Sequence, residues 1–240
     1  MSLLEQATSV EQYNTADMDW EAEGNPDSPV RQFLGRVIGI TPIDVEAADV
    51  LDVGCGSGWF LQRCAQLDAY SLVGVEPSRY AEMATRLVPR ATIYNQTFES
   101  FATEESFDLV SMIMSTEHLA DLEDAFLRSR LLLRASSMLL VVAGDYDAFR
   151  APRFDYTITE EIKQPGKEAV VRVERPSSFG TTTDILRTVD YWSETAEESG
   201  FKVADHQPVF ADDQLVEAIP KYEIYKETPV MQLFRFKKEP

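Results

Sequence analysis

Cysteine and basic residues are scarce in this chain, and long apolar runs are missing. Two cysteines, Cys55 and Cys64, are too few and too oddly placed for a disulfide framework. No metal site is expected either. The longest apolar stretch, residues 138–143, is six residues long and falls far short of a bilayer span. Residues 1–6 carry neither the basic nor the apolar region of a secretory signal, so the expected location is cytoplasmic. Lysine and arginine total 22 against 41 acidic residues, a net charge of −19. A field of that sign repels phosphate backbones and anionic lipid, which removes nucleic acid and membranes from the expected partners. Lys237-Lys238 is the sole basic cluster. The acidity itself reads as a solubility feature or the mark of a salty habitat.

What is present is enough for a core: 240 residues, of which 44% are hydrophobic. Residues 1–29 are polar and form an arm carrying Tyr13 and Trp20, and the spacing of Phe33, Leu34, Val37 and Ile38 predicts a helix over 31–40. Strand and helix signals then alternate. Strands are expected at 50–53, 72–75, 91–94, 107–114 and 138–143, and helices at 59–69, 78–88 and 122–133. Such repetition implies parallel strands joined by right-handed crossovers, with helices on both faces. After Gly144 the pattern changes. Phe154, Tyr156 and Ile158 alternate with polar residues, as do Val171 and Val173, across a Gln164-Pro165-Gly166-Lys167 turn, which predicts a two-stranded hairpin. A helix over 190–199, ended by Gly200, precedes a final antiparallel pair at 201–210 and 229–236; residues 211–228 read as helical or irregular.

The most informative stretch is Val50-Leu51-Asp52-Val53-Gly54-Cys55-Gly56-Ser57-Gly58-Trp59. A buried strand enters a turn with glycine at alternate positions, where side chains would keep a ligand off the backbone. The dinucleotide pattern G-x-G-x-x-G fails because Trp59 stands where it needs glycine, and no Gly-Lys-Ser/Thr closes a phosphate loop. The loop resembles the D-x-G-x-G-x-G motif of class I S-adenosylmethionine-dependent methyltransferases. Glu76-Pro77 ends the next strand, 24 residues after Asp52. Its carboxylate there accepts both ribose hydroxyls, or else serves as a helix N-terminal charge. Phe107-Asp108 and Glu117-His118-Leu119 also match the family, while Arg134-Ala135-Ser136-Ser137 replaces its usual Lys-Pro-Gly-Gly turn.

The resemblance covers residues 48–143 well and the remainder loosely. It implies a doubly wound α/β fold: a mostly parallel seven-stranded sheet with a terminal antiparallel hairpin, and a small β-hairpin insertion after the fifth strand. Residues 1–40 would be an arm and helix covering the cofactor site, and 41–240 the Rossmann-like domain, with 145–188 as a substrate-side insertion. S-adenosyl-L-methionine would be held by Asp52, Gly54, Cys55, Gly56, Gly58, Glu76, Pro77 and Ser115. Gln96, Thr97 and Phe98 stand at the adenine position, Gln96 replacing the usual Asp, and Tyr13 would close over the cofactor. Phe98 reads equally well as a core aromatic.

His118 is the candidate general base, on proximity to the strand ends and because imidazole exchanges protons near neutrality. The competing role is a helix-start residue that packs or caps. His206 is expected to be structural or exposed. Within the insertion, Tyr146, Arg150 and Arg187 are candidate substrate contacts that would suit an anionic acceptor. Arg153, Arg172 and Arg175 share that region with Asp155, Glu160, Glu161, Glu168 and Glu174, so cross-strand pairing is the competing and better-supported reading. The expected function is methyl transfer to a small molecule. A non-catalytic S-adenosylmethionine-binding protein, a protein methyltransferase and a related fold with an altered cofactor are the alternatives. The acceptor atom, and whether the chain forms a homodimer, stay open.

Overall fold

The computed structural model describes residues 10–15, 25–151, 157–164, 167–175 and 180–239. Trp20, Arg153, Phe154, Asp155, Tyr156 and the Pro165-Gly166 turn lie outside them. The strands are β1 (Asp49–Val53), β2 (Ser71–Val75), β3 (Thr92–Tyr94), β4 (Phe107–Ile113), β5 (Leu133–Gly144), β6 (Thr157–Gln164), β7 (Glu168–Arg175), β8 (Gly180–Arg187), β9 (Phe201–Val209) and β10 (Met231–Lys238). The helices are α1 (Glu11–Thr15), α2 (Pro29–Ile38), α3 (Pro42–Val45), α4 (Trp59–Gln66), α5 (Tyr80–Leu87), α6 (Leu122–Leu132), α7 (Tyr146–Arg150), α8 (Val189–Glu198) and α9 (Asp213–Ala218). Single 3₁₀ segments occur at Phe98–Ser100, Thr116–His118 and Pro220–Tyr225.

The main sheet has seven strands in the order β3-β2-β1-β4-β5-β10-β9. The first five run parallel, and β10 lies antiparallel between β5 and β9. The strand order reverses at β1, which places a crevice at the carboxyl ends of β1 and β4. Alternation along each strand splits the core into two layers. Val50, Leu109, Leu140 and Val142 pack against Phe33 and Leu34 of α2 and Phe60 and Leu61 of α4. Leu51, Val110, Leu139 and Val141 face α6 and α8 on the other side. Phe126 of α6 is the hub of that second layer, its ring 6.0 Å from Trp192, 5.7 Å from Phe201 and 5.2 Å from Phe236.

Local chemistry explains several boundaries. Helix α2 begins earlier than its apolar spacing indicates, because Ser28 Oγ accepts from Arg31 N and Pro29 sits in the first turn; Gly39, with φ 59°, ends it. Arg134–Ser137 loops out within β5: Phe107 pairs with Leu133, Leu109 with Met138, and Ser136 takes a φ of 64°. Arg134 reaches Asp49 and Asp108 at 2.6 Å each, tying the starts of β1 and β4.

The insertion is larger than the sequence pattern predicts. The expected hairpin is β6–β7, and β8 adds to it to make a three-stranded antiparallel sheet, β6-β7-β8. Residues 182–187 of β8 are buried without a break, so the strand is covered on both faces and shows no polar alternation by which to recognise it. Among the described residues, no helix is long and apolar enough to cross a membrane, and no group of three or more His, Cys, Asp or Glu side chains is placed to hold a metal.

Replacing Phe126 with Ala empties the hub of the α6–α8 layer. The expected cost is about 3–5 kcal/mol, read as a lowered urea midpoint with an unchanged slope.

Candidate functional site

A cavity of about 960 Å³ opens at the carboxyl ends of β1, β2 and β4. The turn after β1 enters it because its backbone is fastened elsewhere. Gly54 N and Cys55 N both donate to Val75 O, at 2.7 and 3.2 Å. At Gly54 (φ 69°) a Cβ would stand 2.4 Å from that of Ser115, so no side chain fits. Gly56 differs: its φ is 52°, and nothing lies within 4 Å of where a Cβ would be. Its bare face opens on the cavity that it lines. Gly58 is off the cavity wall and serves packing, since a Cβ there would meet Val88 of the α5 C-terminus at 2.8 Å.

Glu76 holds this turn. Its Oε2 accepts from Gly56 N at 3.0 Å, and its Oε1 accepts from Ser78 N at 2.9 Å and Ser78 Oγ at 2.6 Å. A carboxylate has about four acceptor positions, so roughly one remains, on Oε2, toward the cavity ligand. Asn95 supports the arrangement by donating to the carbonyls of Glu76 and Ser78, each at 2.9 Å. Asp52 is buried beside the same wall and accepts from Ser111 Oγ at 2.7 Å. Burial pushes its carboxyl up to about 7, against the lowering effects of the Ser111 hydrogen bond and the Arg31 charge. Arg31 of α2 lines the cavity, with its guanidinium 5.6 Å from the centre of the Trp59 ring.

The turn after β4 forms the next wall. Met114 adopts a φ of 54°, unusual for a non-glycine residue, and its amide donates to Val142 O at 2.7 Å. Ser115 Oγ donates to Val53 O at 2.8 Å. Glu117 is buried and accepts from Gly144 N at 2.6 Å. The His118 ring meets Tyr13 of α1 edge to face, with centroids 4.9 Å apart and the Tyr13 hydroxyl hydrogen-bonded to Nε2.

Of the residues expected to hold the cofactor, all but Gly58 and Gln96 line this one cavity, together with His118. Tyr146, Arg150 and Arg187 do not. Arg150 bonds Glu161 at 2.6 Å and lies over the Tyr146 ring at 4.6 Å. Arg187, 3% exposed, donates to the carbonyls of Thr116 and Leu119 at 2.8 and 2.6 Å and to Glu168 at 2.9 Å. It braces the turn bearing Glu117 and His118 from behind. Burial lowers the Arg187 pKa from its ordinary value, while Glu168 raises it. Sequence reasoning missed Arg31, Ser78, Phe149, Asp184 and Tyr222, all on the cavity wall.

Two outcomes follow. The Asp52 pKa in the fold stands above its ordinary 3.8, so the fold favours the neutral acid. Its contribution is complete below the unfolded pKa and is lost as pH rises through the folded one. Between about pH 4 and about pH 8, urea unfolding should therefore show a smaller loss of stability for Asp52→Asn than for wild type. Arg187→Met should cost about 3–5 kcal/mol by leaving Glu168 and two carbonyls without their donor; adding Glu168→Leu should recover part of that loss.

Comparison with known proteins bears on this geometry. Residues 28–206 match the profile of a methyltransferase-domain family. A tRNA U34 carboxymethyltransferase from Ectopseudomonas mendocina (strain ymp) is 26% identical over 172 residues, covering 65% of this chain and 51% of that protein. The chain thus spans about half the length of the curated relative it matches. The crystal structure of an S-adenosylmethionine-dependent methyltransferase from Mesorhizobium loti superposes with a TM-score of 0.67 at 17% identity, covering 88% of this chain and 99% of that one. The glycopeptide N-methyltransferase MtfA, complexed with S-adenosyl-L-homocysteine, gives a TM-score of 0.61 at 16% identity, covering 89% and 90%. At these identities the structural likeness is one of fold.

Proposed function

Because the chain belongs to the methyltransferase-domain family, we propose that it transfers a methyl group from S-adenosylmethionine to a small molecule held in the cavity at the strand ends. The observation that carries this reading is the bare face of Gly56 beside the Glu76 carboxylate, at a cavity that continues well past both.

The residues present fit the cofactor. Gly56 leaves room for a nucleoside against backbone, and the remaining acceptor position of Glu76 suits a ribose hydroxyl. Thr97 and Phe98 line the wall where a base would lie. Arg31 suits the carboxylate of an amino-acid tail, and an ammonium brought beside Asp52 would favour the ionised form of its buried carboxyl. When bound, the cofactor supplies an electrophilic methyl on a sulfonium, so the protein's task is to align the acceptor and take its proton. The hydrogen bond between Tyr13 and His118 at the cavity wall supports assigning them the movement of that proton.

A small acceptor agrees with the cavity's size, about 960 Å³, at the upper end of the range for small-molecule sites. The curated relative is named for tRNA. Against an RNA acceptor here stand the net charge of −19 and an acidic cavity wall formed by Asp52, Glu76, Glu99, Glu117 and Asp184.

Calorimetric titration with S-adenosylhomocysteine should show binding by wild type and at least about tenfold weaker binding by Gly56→Ala, whose Cβ has no protein atom within 4 Å but stands on the ligand's side of a turn whose φ of 52° suits glycine. Release of S-adenosylhomocysteine should accompany incubation with small-molecule acceptors and not with tRNA or peptides. Failure to bind the nucleoside would remove the whole reading; turnover with tRNA alone would replace the acceptor.

A further inference from the structure

We propose that the site is loaded by proton exchange: at mildly acidic pH Asp52 holds a proton in the free protein and releases it to solvent when the ammonium of the ligand's amino-acid tail arrives. The proposal rests on the methyltransferase reading and adds how loading of that same site is regulated.

The place of Asp52 in the sheet leaves its carboxyl poorly supplied with donors. β1 lies between β2 and β4, so Asp52 stands opposite Gly74 on one side and Ser111 on the other. Gly74 has no side chain to offer, and Ser111 gives one hydroxyl at 2.7 Å. Glu76, on the same wall, receives three donors from Gly56 and Ser78. Asp52 is 3% exposed and lines the cavity. The charged and titratable groups that act on it come from every side of this wall. Arg31 of α2 favours its ionised form, and Glu76 at the end of β2 opposes it. Cys55 in the turn and Cys64 of α4 also interact with it, and burial pushes both thiols up, so they stay neutral.

Taking water from a carboxylate favours the neutral acid, and one donor does not restore what water supplied. Even with Arg31 nearby, burial leaves the Asp52 carboxyl at about 7. Near neutrality its proton is therefore divided between the protein and solvent. The neutral acid offers no charge to an ammonium, whereas the carboxylate offers an ionic hydrogen bond. A ligand that binds one protonation state better must draw the equilibrium toward it. Affinity is then complete above the Asp52 pKa of the free protein and falls as pH drops through it. The far half of the cavity, walled by Phe149, Asp184 and Tyr222, takes no part in this exchange. Cofactor and demethylated product carry the same amino-acid tail, so replacing one by the other moves no proton at Asp52. The device thus sets how much of the protein is loaded and leaves the balance between cofactor and product alone.

The test is calorimetric titration in buffers of different ionisation enthalpy, which counts protons released on binding. S-adenosylhomocysteine is compared with its deaminated analogue, in which hydrogen replaces the α-amino group. With wild type at about pH 6, S-adenosylhomocysteine should release close to one proton and bind about tenfold more weakly than at about pH 8, where close to none is released. The deaminated analogue should release none and lose no affinity at the lower pH. In Asp52→Asn both the proton release and the loss of affinity with S-adenosylhomocysteine should vanish. A proton titrating at the Tyr13–His118 pair would persist in Asp52→Asn and overturn the proposal. Release with the deaminated analogue, or none with S-adenosylhomocysteine at about pH 6, does the same. The analogue decides should the variant not fold, and the variant decides should the analogue not bind. Binding of S-adenosylhomocysteine without proton release sinks this proposal alone, whereas no binding at either pH sinks the reading beneath it.

Discussion

The bond from Gly56 N to Glu76 Oε2 is the contact on which the site depends. A turn rich in glycine is costly to order, since glycine loses more backbone freedom than any other residue. Here the turn after β1 is pinned to the end of β2 by three bonds: Gly54 and Cys55 to Val75 O, and Gly56 to the Glu76 side chain. The pinning leaves the face of Gly56 open while the rest of the turn is packed. Glu76 can be buried because Ser78 supplies two further donors to the same carboxylate. Asp52, buried nearby, accepts one side-chain bond, from Ser111, and its proton is correspondingly harder to remove. One wall thus holds a carboxylate committed to backbone and another that responds to whatever cation approaches.

How much of this was legible before the structure depends on what each residue's role leaves in the pattern. The parallel half was readable because β1, β2 and β4 are short apolar runs broken by turns, and the spacing Asp52-x-Gly54-x-Gly56-x-Gly58 separates this loop from phosphate and dinucleotide loops. The distinct jobs of the glycines were not readable. Gly54 answers to Ser115, 61 positions on, and Gly58 to Val88, contacts that exist only once the sheet has formed. β8 escaped notice because burial on both faces removes alternation, and its Thr-Thr-Thr-Asp run looks like a loop. The far half of the cavity was invisible for a similar reason: Phe149, Asp184 and Tyr222 come from three segments with no shared motif.

The insertion shows how charge in a sequence can mislead about charge in a site. Its arginines suggest an anionic ligand until register is known. Arg172 lies opposite Glu160, and Arg187 opposite Glu168, so these cations are matched across strands. Arg150 is paired with Glu161 in the same sheet. The charged side chain that the described part of the insertion presents to the cavity is Asp184, of the opposite sign.

The same strand that offers Asp184 also fixes the turn after β4, and the two roles constrain each other. Met114 holds a left-handed backbone, a conformation that persists where its surroundings over-determine it. Those surroundings are the Val142 carbonyl, the Val53 carbonyl through Ser115, the Gly144 amide through Glu117, and Arg187 reaching in from β8. His118 therefore sits on a segment tied to β1, β5 and β8 at once, the rigidity that its proposed part in proton transfer calls for. Tyr13 is the exception, since it arrives from α1, a five-residue helix outside the sheet core. His118 is thus held by fixed strands on one side and meets the Tyr13 hydroxyl from α1 on the other.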